Sequence, residues 1–166
     1  SDFPGGSYNL GIMYANAGDF EKAAEYYRSA IKTDNLFYMA KVNLATVYNQ
    51  QGQNGEAERL LREVLAENPQ IYDVNYSLAL LLAEKGNLPE SRKYFLRSAE
   101  LMPDRPRILY NLALLENSLG NAIPAEEYLL RALKIEPDNY DFLYAVCTFY
   151  LEHKQNPKAA EYARQL

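Results

Sequence analysis

The chain has 166 residues, of which 48% are apolar and 23% charged, and its net charge is −5 at neutral pH. This composition is typical of a folded globular protein, and it argues against general nucleic-acid affinity, which depends on clustered Lys and Arg. No apolar run approaches the ~20 residues of a membrane-spanning helix. The N-terminus SDFPGGSYN lacks the basic and apolar regions of a signal peptide, and the single cysteine excludes an internal disulfide.

Apolar residues at three- and four-residue steps predict a series of short helices. In the clearest stretch, Leu112, Leu115 and Leu119 share one helical face, and Gly120 then ends the helix because glycine tolerates a left-handed backbone there. A second helix follows, and Pro137 closes it because proline cannot continue a helix. The helices predicted in chain order lie near 6–17, 20–33, 38–51, 54–67, 72–85, 88–101, 106–119, 122–135, 140–153 and 156–166.

These helices form a repeat of 34 residues without insertion or deletion. The units are 4–37, 38–71, 72–105, 106–139 and a shortened fifth, 140–166. Columns in phase include the small residues Gly11, Ala45, Ala79, Ala113 and Cys147, and the turn residues Gly18, Gly52, Gly86 and Gly120, from which Lys154 departs. A pair of short helices cannot bury both apolar faces alone, so neighbouring pairs must cover them. We therefore predict a single all-α domain over residues 1–166.

The columns resemble the tetratricopeptide repeat (TPR) family, whose pattern has a bulky aromatic, Leu-Gly, Tyr, Ala, Phe and Pro over 34 residues. The resemblance covers residues 4–166 and implies a right-handed α-solenoid of antiparallel helix pairs, a superhelix of about five repeats with the last truncated. Two departures predict looser packing. Glu116 stands where Tyr is usual, and the first bulky aromatic is replaced by Ser7, Lys41, Asn75, Leu109 and Leu143.

In the TPR family, the first helix of each repeat lines a concave surface, and the resemblance implies a peptide-binding groove at the same positions here. The predicted groove residues are Tyr8, Asn9, Asn43, Thr46, Tyr76, Leu80, Arg107, Tyr110, Asn111, Leu114 and Tyr144. Tyrosine offers an apolar face with a hydrogen-bonding tip, and an asparagine amide can both donate to and accept from a peptide backbone. Because Tyr followed by Asn is ordinary at this place in TPR units, inherited scaffold chemistry remains the alternative interpretation.

The charges of this groove predict the kind of ligand. Family members that bind a C-terminal carboxylate use lysine at positions where this chain has Tyr8, Val42, Tyr76 and Tyr110. Arg107 is the basic residue on the predicted inward face, against acidic residues at Asp73, Glu84, Asp141 and Glu152. We therefore predict a protein or peptide partner that is neutral to basic and contains apolar or aromatic residues.

The sequence favours binding over catalysis, and we predict no enzyme activity, no cofactor and no metal site. His153 is the single histidine and lies beside a turn, where a solvated helix end is the expected role. Cys147 falls in the column of small residues, so we expect it to pack rather than to act as a nucleophile. The pair Gly5-Gly6 precedes a helix but lacks the spacing and the lysine of a phosphate-binding loop.

Three alternatives accompany the scaffold interpretation. The chain could self-assemble through its C-terminal end, because Tyr162, Ala163 and Leu166 have no following unit. RNA reading by helical repeats is disfavoured by the 34-residue period and the negative charge. More weakly, the segments 34–52, 102–107 and 137–145 resemble the TPR tails of bacterial multihaem cytochrome-type proteins. That resemblance implies a periplasmic module of an exported electron-transfer protein; without it, a soluble cytoplasmic module of a larger protein is expected.

Overall fold

In the computed structural model, which describes residues 4–35 and 37–166, these ranges form ten α-helices and no strand. The first three residues of the N-terminal stretch lie outside the described part. The helices are α1 Pro4–Asn16, α2 Phe20–Thr33, α3 Tyr38–Gln50, α4 Asn54–Glu67, α5 Tyr72–Glu84, α6 Leu88–Leu101, α7 Pro106–Ser118, α8 Ala122–Ile135, α9 Tyr140–Glu152 and α10 Asn156–Ala163. Three-residue turns join α1 to α2 and each later pair, so the two helices of a pair run antiparallel.

The predicted boundaries agree closely with the observed ones. The helices α2, α4, α6 and α8 cover the predicted residues, and α3, α5, α7 and α9 begin where expected and end one residue earlier. Two ends differ. Helix α1 begins at Pro4, so Gly5 and Gly6 lie in its first turn rather than before it, because proline is well suited to the start of a helix. Helix α10 ends at Ala163 instead of continuing to residue 166.

The turn within each pair requires a left-handed residue. The glycines of the turn column, Gly18, Gly52, Gly86 and Gly120, have φ of 78°, 74°, 77° and 80°. In each pair, a backbone N–H of the turn donates to a carbonyl oxygen near the end of the first helix. It belongs to the residue two positions after the C-cap, as in Asn121 N–H to Glu116 O at 2.9 Å. The fifth pair has the same turn, but Lys154 occupies the left-handed position with φ of 57°.

Because a side chain disfavours this backbone, we expect Lys154→Gly to stabilise the chain by about 1 kcal/mol. The measurement is the midpoint of urea unfolding followed by circular dichroism at 222 nm. The reverse change at the matching position of the fourth pair, Gly120→Lys, should lower the midpoint by a similar amount. An unchanged midpoint for Lys154→Gly would show that the left-handed residue costs nothing here.

The contacts divide the chain into two compact units, one ending at Leu81 and the other beginning at Leu82. In the first unit, small residues let the helices approach closely: Ala23, Ala45, Ala57 and Ala79 are fully or almost fully buried. Gly11 of α1 faces Tyr27 of α2, and an added Cβ would lie 2.5 Å from Cε1 of that ring. Close helix contact thus depends on this glycine.

The second unit has its own core around α8 and α9. Its buried residues include Leu129, Phe142, Val146 and Phe149, and Tyr110 and Tyr162 pack against them. Tyr162, which we expected to be left without a following unit, stacks on Tyr150 of its own pair with ring centroids 5.7 Å apart. The last helix is therefore anchored by an aromatic contact within its pair.

Lys41 and Asn75, two of the polar residues that replace the first bulky aromatic, are buried and hydrogen-bonded. Lys41 is 2% exposed and its Nζ lies 3.2 Å from Oε1 of Glu67. Asn75 is also 2% exposed and donates from Nδ2 to the carbonyl oxygens of Pro69 and Ile71, at 3.1 and 2.8 Å. Partners on the same unit replace the apolar contacts that an aromatic ring would make.

Glu116, which stands where tyrosine is usual, joins α6 to α7 in the second unit. Its side chain is fully buried, with Oε1 2.7 Å from Arg92 Nε and Oε2 2.6 Å from Asn121 Nδ2. Both carboxylate oxygens accept a hydrogen bond, which offsets the cost of removing the charge from water. A carboxylate thus occupies the place of the usual tyrosine because an arginine of the preceding helix meets it.

The corresponding contact one repeat later, between α8 and α9, has the carboxylate on the earlier helix and a tyrosine on the later one. Tyr150 is buried, and its hydroxyl donates to Oε1 of Glu126 at 2.7 Å; Lys158 Nζ lies 3.0 Å from the same oxygen. Burial, and then the hydrogen bond to Glu126, raise the pKa of Tyr150 well above its usual value. The hydrogen bonds from Tyr150 and Lys158 lower the pKa of Glu126.

These shifts predict how stability depends on pH. A raised pKa in the folded state means that the contribution of Tyr150 is complete below about pH 10 and is lost as pH rises further. Between pH 9 and pH 11, we expect the melting temperature of Tyr150→Phe to fall less than that of the wild type, because phenylalanine cannot ionise. Thermal melts at a series of pH values measure this. Tyr140→Phe, at a side chain 63% exposed, is the control and should follow the wild type.

Candidate functional site

In the first unit, the structure brings together predicted groove residues of α1 and α3, and we call Tyr8, Asn9, Ile12, Asn43 and Thr46 the α1–α3 face. Asn43 donates from Nδ2 to the hydroxyls of Tyr8 at 3.2 Å and Tyr27 at 3.5 Å. Ile12, Asn43 and Thr46 line a cavity of about 360 Å³ beside these contacts. Both amide protons of Asn43 are thus engaged within the unit, which leaves its side-chain carbonyl oxygen as the group that could accept a hydrogen bond from another molecule.

The predicted groove residues of the first unit differ in how far they are exposed. Asn9 is exposed on α1, and Tyr8 packs on Phe37 with ring centroids 4.9 Å apart. Tyr76 and Leu80 lie one turn apart on α5, and both are half-buried. The unit therefore presents aromatic and amide groups that are largely held by neighbouring side chains.

In the second unit, α7 and α9 bring together a more exposed set, Arg107, Tyr110, Leu114, Tyr144 and Thr148, which we call the α7–α9 face. Leu114 is 41% exposed and Tyr144 57% exposed. Both line a cavity of about 150 Å³ together with Tyr110, Thr148 and the carboxylate of Glu152. Asn111, also predicted, is half-buried on α7. Exposed apolar side chains around a small cavity are typical of a surface that another molecule covers.

The charges on the α7–α9 face are unequal. Arg107 Nη1 lies 3.3 Å from Oδ2 of Asp141, and its guanidinium lies over the Tyr110 ring at 5.4 Å from the centroid. This arginine is therefore already paired. Glu152 also lines the cavity, and it accepts a hydrogen bond from the uncharged amide nitrogen Nδ2 of Asn117 at 2.9 Å. A cation suits this part of the cavity better than an anion.

The residues considered for chemistry have structural roles. Cys147 is buried, and its thiol lies 3.5 Å from the carbonyl oxygen of Ala159. His153 Nδ1 lies 2.8 Å from Phe149 O, and its ring packs on that of Phe149 at 4.2 Å. Within residues 4–35 and 37–166, no group of His, Cys, Asp and Glu could hold a metal ion. No helix of that part is both long and apolar enough to cross a bilayer.

Sequence reasoning missed one surface of the first unit. Helices α2 and α4 form the walls of a depression whose floor is α3, and we call it the α2–α4 groove. It is lined by residues that include Arg28, Leu44, Tyr48, Arg59 and Glu67. One feature of the sequence could have indicated this groove. Ala24 is small, whereas the next three repeats have the charged residues Glu58, Arg92 and Glu126 at the same position.

Comparison with known proteins shows the class of fold. The chain matches solved structures of MamA from Desulfovibrio magneticus (14% identity, 99% of this chain and 93% of that one, TM-score 0.91), and of pilF from Pseudomonas aeruginosa (21%, 98% and 74%, TM-score 0.87). It also matches YrrB, a TPR protein described as having an unusual peptide-binding site (18%, 96% and 82%, TM-score 0.80). The predicted class, an α-solenoid of antiparallel helix pairs, is confirmed.

Family models described as tetratricopeptide repeat match residues 4–36, 42–106 and 106–139. The chain belongs to the tetratricopeptide repeat family, a family of protein-interaction scaffolds. A search of curated proteins found no match to the chain.

Proposed function

We propose that this chain is a non-catalytic scaffold that binds a peptide or protein segment on its first helices, chiefly through the α7–α9 face. The observation that carries the proposal is the exposure of Leu114 and Tyr144 at a cavity whose lining also includes Glu152. An apolar side chain of the ligand fills the cavity, and the rings of Tyr110 and Tyr144 contact its neighbours. YrrB, which has the same fold, is described as a peptide-binding protein, and this supports the proposal.

The ligand is neutral to basic. Arg107 is paired with Asp141, so it does not compensate a carboxylate of the ligand, whereas Glu152 can pair with a lysine or arginine. A ligand residue with a positive charge next to an apolar or aromatic residue satisfies both features of the face. The α1–α3 face supplies a further apolar cavity and the amide carbonyl of Asn43 for an adjacent part of the partner.

The test uses fluorescence anisotropy with two labelled octapeptides that share Leu and Tyr residues and differ in carrying two lysines or two glutamates. We expect the lysine peptide to bind more tightly, and Tyr144→Ala to weaken it by about tenfold or more, as for an aromatic residue central to an interface. Ile123→Ala is the control, because Ile123 is 83% exposed at the start of α8. Tighter binding of the glutamate peptide, or equal binding by Tyr144→Ala, contradicts the proposal.

Self-assembly is the second candidate function. Leu151 and Leu166 of the last pair are 55% and 46% exposed, and such side chains favour contact with another copy. Light scattering over a hundredfold range of concentration should then show a rising mass, which Leu151→Lys abolishes. A constant monomeric mass excludes this function.

The likeness to the tails of multihaem cytochrome-type proteins leads to one specific proposal about the parent protein, namely that this chain is a docking module of an exported electron-transfer protein. Only the segments 34–52, 102–107 and 137–145 support it. Fractionation of source cells tests it directly. Recovery of the protein in the periplasmic fraction is expected, and recovery in the cytoplasm contradicts it.

A further inference from the structure

The α2–α4 groove runs along the length of α2, on other residues than the faces described above. It consists of two adjoining cavities of about 680 and 490 Å³, both lined by Arg28 and Tyr48. The larger cavity has an apolar part of its lining, in which Leu44 and Leu60 are buried and Ile31 is half-buried. This is enough space for several side chains of another molecule.

The groove has a small residue, Ala24, at a repeat position where Glu58, Arg92 and Glu126 carry long charged side chains. At the same repeat position in the second unit, Glu126 accepts from the Tyr150 hydroxyl and from Lys158 of the next second helix, which joins α8 to α10. In the first unit, Tyr48 takes the place of Tyr150 and Ala24 that of Glu126, so the carboxylate that joins α8 to α10 has no counterpart between α2 and α4. The same repeat architecture is thus bridged in one unit and unbridged in the other.

The cations around the groove differ in how they are paired. Lys41 Nζ lies 3.2 Å from Glu67, and Arg59 pairs with Glu56 at 3.0 Å and with Glu63. For Arg28, the contact that the structure gives within the described residues is one hydrogen bond, from Nη1 to the Tyr48 hydroxyl at 3.2 Å. A guanidinium has five N–H donors, so Arg28 has further donors, arranged in a fork that matches a carboxylate.

We propose that the α2–α4 groove docks a protein segment that carries an aspartate or glutamate beside a branched aliphatic residue. The carboxylate accepts hydrogen bonds from Arg28, and the aliphatic side chain lies on Ile31, Leu44 and Leu60. Glu21 and Glu25 line the other end of the groove, which restricts the segment to one such carboxylate rather than an acidic run. This charge preference is opposite to that of the α7–α9 face.

Two labelled hexapeptides test the proposal, one with a single glutamate between two leucines and one with glutamine at that place. We expect the wild type to bind the glutamate peptide about tenfold more tightly than the glutamine peptide, because a charge-assisted bond to arginine is replaced by a neutral one. Arg28→Leu should remove the preference. The control is Arg164→Leu, because Arg164 holds the same repeat position in the fifth unit.

A second variant closes the groove without removing the arginine. Ala24→Glu introduces the carboxylate that other repeats carry, which pairs with Tyr48 and Arg28, so the glutamate peptide should again lose its preference. Tyr144→Ala should leave it intact, which separates this result from the fate of the proposed function. Equal binding of the two peptides to the wild type overturns the proposal, as does a preference that survives Arg28→Leu or is lost in Tyr144→Ala. Self-association that depends on Arg28, without peptide binding, assigns the groove to a second copy and also overturns it.

Discussion

Arg92→Glu is expected to lower the free energy of unfolding by about 2–4 kcal/mol, because it leaves the buried carboxylate of Glu116 without its cation and brings a second carboxylate against it. Glu116 is fully buried, whereas the Arg92 side chain is 41% exposed, so the new carboxylate can turn partly towards water. Asn121 still donates to Glu116 but carries no charge. Urea unfolding followed by circular dichroism measures the loss.

A double substitution turns this loss into a test of the pairing itself. Arg92→Glu combined with Glu116→Tyr copies the Glu126–Tyr150 contact found one repeat further on, so most of the lost stability should return. Arg97→Glu is the control on the same helix; its ion pair with Glu100 is surface-exposed, and the change should cost less than about 1 kcal/mol. If the double variant is no more stable than Arg92→Glu alone, the two contacts are not equivalent.

Gly11→Ala is expected to destabilise the first unit by about 1–3 kcal/mol, although alanine normally favours a helix over glycine. The added methyl group would lie 2.5 Å from Cε1 and 2.6 Å from Cδ1 of Tyr27, and the ring is buried with little room to move. Thermal melting at neutral pH measures the effect.

The matched control is Gly6→Ala on the same helix, where nothing lies within 4 Å of the new Cβ. This change should stabilise by about 0.5–1 kcal/mol, because it removes only the backbone freedom of glycine in the unfolded chain. A melting temperature that rises for both variants would show that Tyr27 moves aside, and that close approach at Gly11 is not needed.

The helices were predictable because their ends depend on local chemistry that recurs every 34 residues. Gly120 fixes a turn by its own backbone preference, and Ala125 fixes a close contact by its own size, so neither needs knowledge of distant residues. Turn and small-residue columns in phase therefore gave boundaries to within a residue or two in most helices. Lys154 shows the limit, since the position, rather than the residue, imposes the left-handed backbone there.

The polar contacts were not predictable in the same way. Whether Glu116 is a strained substitution or a satisfied one depends on Arg92, which lies 24 residues away on another helix. Likewise, Asn43 was expected to offer its amide to a ligand, but its donors are taken by Tyr8 and Tyr27. A single repeat column predicts the role of one position. The hydrogen-bond partner of a polar side chain depends on a second column, on a neighbouring helix.

The contacts Arg92–Glu116 and Glu126–Tyr150 occupy equivalent places in successive repeats but differ in chemistry. This difference affects whether a repeat can be gained or lost. Duplicating residues 106–139 in tandem would place Glu126 of one copy beside Glu116 of the next, two acids facing each other. Excising the same residues would place Arg92 beside Tyr150, a tolerable combination of a cation and a phenol. Unequal recombination at this point should therefore favour shorter descendants over longer ones, even though every unit is the same size.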